Sequence, residues 1–251
     1  MGFRGFHNVD PFDCPPFQLF TNGDDPASTT ILEDLSFEAH SMRLWCKFAR
    51  EATSILDIGA HVGVYSLAAA SLRKDIQIHA FEPNPFVAAR LRVNKHLNGF
   101  ENIVEHNVAL SYVRTTSTLS WPRKAGGLLN SGSALAVTGD ALESALVRVE
   151  TVDAFNIPAG AAPLVKIDVE GSELAVFSGM QAFLRARPTI ILESFLQDAC
   201  DKITAMLAGY RFFLIEEGGA LIEQEKLVAA DIALDRNQLL LPPERSTLLS
   251  K

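Results

Sequence analysis

The chain of 251 residues has only three cysteines, Cys14, Cys46 and Cys200, and none stands in a CxxC pair. An odd count without metal-ligand spacing excludes a disulfide framework and a zinc cluster, and it leads us to expect reduced thiols and a cytoplasmic location. Long apolar runs are also missing: nothing approaches the roughly 18 residues of a membrane span, and MGFRGFHNVDPFDCPPF lacks the continuous apolar core of a signal peptide. There is no surplus of basic residues. With 22 Lys and Arg against 30 Asp and Glu, the formal charge is −8, so the expected partner is not nucleic acid. No HExxH and no nucleophile-elbow glycine pattern occur, which argues against zinc protease and serine hydrolase chemistry.

What is present is alternation. Apart from residues 1–36, rich in Pro, Asp and Phe, the text runs strand, helix, strand, helix. SFEAHSMRLWCKFARE reads as a helix, SILDIG as a strand, and VGVYSLAAASLRK as a helix with Val64, Leu67, Ala68 and Leu72 on one face. IQIHAFEP is a strand, PFVAARLRVNKHLNGF a helix stopping at Asn98-Gly99, and ENIVEHNVAL a strand. PLVKIDVEG, SELAVFSGMQAFLRAR, PTIILES and LQDACDKITAMLAG continue as strand, helix, strand and helix, and YRFFLIEEGG opens a last pair of strands. Between them, residues 111–150 form a predicted β-hairpin insertion around the loop AGGLLNSGS. The fold class is therefore α/β, a doubly wound and mostly parallel sheet with helices on both faces. We divide the chain into an irregular arm or lid, 1–36, and one domain, 37–251.

In such sheets ligands bind beyond the carboxyl ends of the strands. Four predicted strands end in acid: Asp57, Glu82, Asp168 and Glu193. Asp57-Ile-Gly59-Ala60-His61-Val-Gly63 is a glycine loop from strand to helix, with His61 where a dinucleotide-binding loop needs a second glycine. A pyrophosphate, and with it a nicotinamide reductase, is disfavoured. Glu82 lies 19 residues after Gly63, where an acid accepts hydrogen bonds from ribose hydroxyls. A ribose without pyrophosphate, plus a cationic centre facing several acids, describes S-adenosyl-L-methionine, whose methionine end Asp57 would meet.

The segments DIGAHVGVYSL, AFEPNP and NKHLN, the VAL after the third strand, and above all LVKIDVEGSELAVFSGM with IILES, resemble the FkbM family of class I methyltransferases. The resemblance runs from about residue 37 to 215, and His61 departs from the more usual Asn. It implies a seven-stranded Rossmann-like sheet with the last strand antiparallel, binding S-adenosylmethionine and transferring its methyl group to a hydroxyl of a small molecule such as a polyketide or sugar. The expected cofactor set is Glu38, Asp57, Gly59, Ala60, His61, Gly63, Glu82, Asn84, Asn107, Val108 and Asp168. Within it Asn107 and Val108 would hold the adenine, and Glu38 would approach the methionine end. His79 and His106 read as structural. On the strand KIDVE, Lys166, Asp168 and Glu170 alternate onto one side if the strand runs that far. Three readings compete there: a carboxylate taking the proton of the acceptor hydroxyl, a divalent metal on Asp168, Glu170 and Glu193, or a structural Lys166–Asp168 ion pair. N- or C-methylation, or a non-catalytic cofactor-binding scaffold, are the alternatives. Oligomeric state is open.

Overall fold

A computed structural model describes residues 4–10, 13–23, 26–33, 38–122, 134–135, 142–216, 218–230 and 237–250. Two strands, β1 (Gly5–Val9) and β2 (Phe17–Thr21), and the helices α1 (Pro26–Glu33) and α2 (Ala39–Ala49) come first. The alternation follows with β3 (Ser54–Ile58), α3 (Val64–Leu72), β4 (Ile78–Phe81), α4 (Pro85–Leu97) and β5 (Ile103–His106). Next stand β6 (Ala109–Leu110), β7 (Thr115–Pro122), β8 (Ala134–Leu135) and β9 (Leu142–Glu150). The chain continues through β10 (Pro163–Ile167), α5 (Glu173–Ser178), α6 (Gln181–Leu184), β11 (Thr189–Glu193) and α7 (Gln197–Met206). It ends with β12 (Arg211–Ile215), β13 (Leu221–Gln224) and β14 (Asn237–Leu241).

The main sheet has the order β13-β12-β14-β11-β10-β3-β4-β5. Strands β5, β4, β3, β10 and β11 are parallel, and β14 runs antiparallel between β11 and β12. The seven expected strands are there with the last one antiparallel; an eighth, β13, pairs antiparallel with β12 at the edge. The order reverses between β3 and β10, which lie side by side while their next strands go opposite ways. That is the topological switch point, where a crevice opens at the strand ends.

Strand alternation divides the core. Ile55, Leu164 and Ile191 pack into one cluster with Trp45, Leu67 and Phe48, under α2 and α3. Leu56, Ile58, Val165, Ile167, Ile190 and Leu192 pack into the other with Phe177 and Ile203, under α5 and α7. Each central strand is apolar on both faces, as parallel strands covered by helices must be.

Three expectations need correction. The arm is not irregular: β1 and β2 form a five-pair antiparallel ribbon. Its Pro- and Phe-rich text hides this because the ribbon is fixed from outside. Asn98 Oδ1 accepts from the Gln18 amide at 2.7 Å, its Nδ2 donates to the Gln18 carbonyl at 2.8 Å, and Asn94 Oδ1 accepts from the Phe20 amide at 2.8 Å. The insertion holds more than a hairpin, since β7 and β9 belong to a four-stranded sheet ordered β6-β9-β7-β8. The loop AGGLLNSGS lies outside the described residues. Last, SELAVFSGMQAFLRAR is two helices, not one. A Cβ on Gly179 would lie 1.9 Å from the Ser111 carbonyl oxygen, and this close crossing of the insertion falls where α5 and α6 part. Among the described residues no helix is long and apolar enough to cross a membrane.

Asn94 ties the arm to the glycine loop, because its Nδ2 also donates to the Val62 carbonyl at 2.9 Å. It is fully buried. Asn94→Leu leaves the Phe20 amide and the Val62 carbonyl unpaired, and is expected to lower unfolding stability by about 2–4 kcal/mol, measured by urea denaturation.

Candidate active site

The site lies on the α2–α3 face of the sheet, at the carboxyl ends of the strands. Asp57 on β3 stands opposite Lys166 on β10, and Lys166 opposite Ile191 on β11. Glu193, two residues on, faces Asn237 on β14. Residues paired across neighbouring strands share a face, so Asp57, Lys166, Glu193 and Asn237 form one polar row across four strands. Asp168 continues β10 on that same side.

Lys166 is the centre of the row. It is 1% exposed, and its Nζ donates to Asp168 Oδ2 at 3.3 Å and Asn237 Oδ1 at 3.1 Å. The Nζ also lies 5.3 Å from the centre of the Tyr65 ring, a cation–π distance. Burial opposes its charge, but the carboxylates of Asp168, Glu38 and Glu193 outweigh that and hold its pKa above the ordinary lysine value. Glu38 sits at the start of α2 in a left-handed conformation, φ 49°, and accepts from the Tyr65 hydroxyl at 2.7 Å. Burial pushes its carboxyl up, Asp168 adding to this and Lys166 opposing it. Burial likewise pushes Glu193 up to about 9, with Asp168 adding to the effect.

Asp57, the acid inside the apolar strand, meets the α3 hydroxyl of Ser66, which donates to Oδ2 at 2.5 Å. Its carboxyl is pushed to about 6 by burial, against the pull of Ser66 and Lys166. The glycine loop is held by backbone. Gly59 and Ala60 amides both donate to the Phe81 carbonyl at 2.9 Å, and the Gly63 amide donates to Ala60 at 2.8 Å. A Cβ on Gly59 would lie 1.7 Å from the Asp168 carbonyl oxygen, and φ there is +81°; only glycine fits.

Glu82 closes the loop onto the next strand. One carboxylate oxygen accepts from the His61 amide at 2.9 Å, the other from the Asn84 amide at 2.8 Å. Each oxygen keeps a lone pair for a further donor. Its pKa is raised by burial, against the opposing effect of His61 and the two amides. Asn84 Oδ1 caps α4, accepting from Phe86 and Val87 amides at 3.0 and 3.5 Å. Asn107 Nδ2 donates to the carbonyls of Glu82 and Pro83 at 2.8 and 3.0 Å, and Val108 is buried beside Phe81. So these three residues frame the crevice beyond β4 and β5, their side chains already engaged with the protein. His79 and His106 form a stacked pair on the opposite face of the sheet, Nδ1 to Nε2 3.0 Å.

Glu170 does not join the row. β10 ends at Ile167, and Glu170 is exposed in a turn at φ 51°, so the alternation from Lys166 stops at Asp168. Among the described residues no three His, Cys, Asp or Glu side chains gather as a metal site; Asp168, Glu170 and Glu193 therefore do not form one. Tyr65 and Ser66, in the first turn of α3, escaped the sequence reading, and so did two residues further along the chain. Asn237 sits on the last strand, 71 residues from the lysine it holds, and no local pattern marks it. Glu173 is 1% exposed; its Oε1 accepts from the Gly171 amide at 2.7 Å, and its Oε2 is buried with no hydrogen-bond partner.

A switch-point crevice with a glycine cradle, a carboxylate closing the loop after the next strand, and a seventh strand inserted antiparallel define a class I Rossmann-like methyltransferase. The profile of the methyltransferase FkbM domain matches residues 57–214, and the chain belongs to that family. It is 26% identical over 218 residues to the 31-O-demethyl-FK506 methyltransferase FkbM of Streptomyces tacrolimicus, covering 74% of this chain and 81% of the relative. A crystal structure of a methyltransferase FkbM from Methylobacillus flagellatus KT superposes with a TM-score of 0.50 at 17% identity, over 76% of this chain and 44% of that one. This chain thus spans less than half the length of that solved relative.

Lys166→Met would leave the buried Glu193 and the partly buried Glu38 and Asp168 without their cation. The expected loss is about 3–5 kcal/mol near neutral pH. A carboxyl whose pKa is raised on folding holds a proton that the unfolded chain has released, so its stabilising contribution is present in acid and fades as pH rises. For Glu193 that window runs from the ordinary carboxylate range up to about 9. Lys166 lowers the pKa of Glu38 and Glu193, so without it these carboxyls hold protons to higher pH than in the wild type, and urea unfolding should show the Lys166→Met deficit shrinking from pH 8 towards pH 5.

Proposed function

We propose that this methyltransferase uses S-adenosylmethionine to methylate a hydroxyl oxygen of a small molecule. The observation that carries the cofactor reading is the charge of the crevice: among the described residues Asp57, Glu38, Asp168 and Glu193 surround one buried cation, Lys166. Asp57 and Glu193 are buried and Glu38 and Asp168 partly so; gathering that many acids is costly without further positive charge, and a sulfonium cofactor supplies it. The loop lies where a nucleoside would need it as well, since Gly59 brings it directly against the Asp168 carbonyl at the end of β10. The bound cofactor brings an electrophilic methyl group on sulfur. Glu82 would take the ribose hydroxyls on its remaining lone pairs, the loop Gly59 to Gly63 would lie against the nucleoside, and Glu38 and Asp57 would face the methionine end. Asn107 and Val108 would border the adenine.

Methyl transfer from a cation to an oxygen builds no large anion, so positioning supplies most of the catalysis. The protein has then to align the acceptor oxygen and remove one proton. Asp168 suits that task. It stands at the switch point and keeps 31% of its side chain exposed, and Lys166 holds Oδ2 in place. The Lys166–Asp168 ion pair and the base role are therefore compatible: the lysine orients the carboxylate that accepts the proton. Oxygen as the acceptor atom draws support from the name of the Streptomyces relative, an O-demethyl-FK506 methyltransferase. The net charge of −8 favours a small acceptor over a polyanion.

Glu82→Ala is expected to weaken S-adenosylmethionine binding at least about tenfold by calorimetry, because two loop amides and the ribose lose their acceptor. Asp168→Asn should keep cofactor affinity within about threefold and lose methyl transfer to a hydroxylated acceptor by about 10²-fold or more. Full turnover by Asp168→Asn would remove the base assignment, and wild-type protein that fails to bind the cofactor would remove the reading itself.

A further inference from the structure

We propose that Glu173 is a positioning residue for Asp168: its buried carboxyl closes the turn that ends β10, and the closed turn fixes where the Asp168 carboxylate stands. The inference rests on the reading of Asp168 as proton acceptor and concerns what aims that group.

Of the segment KIDVEGSE, the site takes up Lys166 and Asp168 and leaves Glu173 without a task. Glu173 is 1% exposed, and its Oε1 accepts from the Gly171 amide at 2.7 Å. Its Oε2 is buried without a hydrogen-bond partner among the described residues. Burying a carboxyl that is only half satisfied is costly. The helix α5 does not draw on it. Ser172 stands at the N-cap, where a serine ordinarily accepts from the first amides of a helix, yet its side chain makes no cap hydrogen bond. The Glu173 carboxyl reaches back out of the helix instead, to an amide of the preceding turn.

That turn is short and sharply bent. The Asp168 amide still follows the β3 ladder, donating to the Ile58 carbonyl at 2.9 Å, and the Asp168 carbonyl lies directly against Gly59. The chain then bends through Glu170 at φ 51° and Gly171 at φ 96°, and the Ser172 amide donates to the Val169 carbonyl at 3.3 Å. Two successive residues in the left-handed region persist only where their surroundings fix them. The bond from Gly171 to Glu173 does so from inside the protein. With it in place β10 stops at Ile167, Glu170 stays exposed and off the polar row, and Asp168 Oδ2 meets Lys166 Nζ at 3.3 Å. Without it the bent residues relax, and Asp168, at one end of the turn, loses its fixed aim at the lysine. Burial pushes the Glu173 carboxyl up, against the pull of the Gly171 amide, so its neutral isostere, glutamine, is the variant that keeps the bond.

The test reads the Lys166 ammonium, which a mere support of α5 would not move, and it needs neither cofactor nor acceptor. In proton–nitrogen correlation spectra of protein with nitrogen-labelled lysine, a buried, hydrogen-bonded ammonium gives its own signal. Asp168→Ala identifies that signal by shifting it, and marks the size of the shift when the carboxylate is lost. Glu173→Ala is expected to shift it in the same direction by at least about half as much, with ammonium hydrogens exchanging about tenfold faster. Glu173→Gln should restore the wild-type position and hold exchange within about twofold. A Lys166 signal unmoved in folded Glu173→Ala would overturn the inference, whatever the loss of stability. A signal displaced as far in Glu173→Gln as in Glu173→Ala would overturn the role of the Gly171 bond. Where Glu173→Ala does not fold, the wild type decides: its Gly171 amide should exchange at least about 10²-fold slower than in an unstructured chain, and faster exchange overturns the lock. Full methyl transfer by Asp168→Asn overturns the base reading and not the placement, which the Lys166 signal reads by itself.

Discussion

The buried ammonium of Lys166 is the interaction on which the site depends. It sits on a central strand, on the face covered by α2 and α3, and carboxylates from three other directions converge on it: Glu38 from α2, Glu193 from β11, and Asp168 from its own strand. A lone lysine in that place would be neutral or the protein unfolded, and lone acids would be protonated. Together they form a network in which each charge is tolerated because of the others. Asn237 completes it from the antiparallel strand β14. The inserted last strand is thus part of the lysine network as well as of the core.

A second constraint makes this network part of a crevice. The glycine loop touches the Asp168 carbonyl so closely that only Gly59 can occupy its place. The same loop is stitched to β4 through the Phe81 carbonyl and to Glu82 through the His61 amide. Three adjacent strand ends are therefore fixed relative to one another by short backbone contacts, with little left to flexible side chains. Asn94 extends the same framework outwards, from Val62 to the backbone of the N-terminal ribbon.

Much of this was legible in the sequence, for identifiable reasons. Parallel strands covered on both faces read as short apolar runs between amphipathic helices, so the mostly parallel sheet followed from alternation and the loop from its glycines. Acids ending apolar runs, Asp57, Glu82 and Glu193, stood out because such placements are costly without a partner. What stayed hidden was non-local. The ribbon of β1 and β2 is held by Asn94 and Asn98, some 74 and 80 residues away. Glu170 was misplaced because a period of two carries no sign of where a strand stops; the chain turns after Ile167. Glu173 stands in the first turn of a helix, where an acid is ordinary, and only burial sets it apart.

Backbone strain follows the same map. Of the five non-glycine residues described with positive φ, Glu38, His61 and Glu170 all border the crevice. Side chains with a Cβ pay about 1 kcal/mol or more for that region, and each of these turns a chain segment sharply at the end of a strand or the start of a helix. At His61 the turn presents the amide to Glu82; at Glu38 it delivers the carboxylate that α2 adds to the lysine network. At Glu170 it ends the line of β10 directly after Asp168 and leads into the Gly171 amide that holds Glu173. Regular geometry would place these groups elsewhere. The strain is tolerated because the packed sheet beneath fixes the strand ends, and in return the irregular segments can aim amides and carboxylates into one small volume.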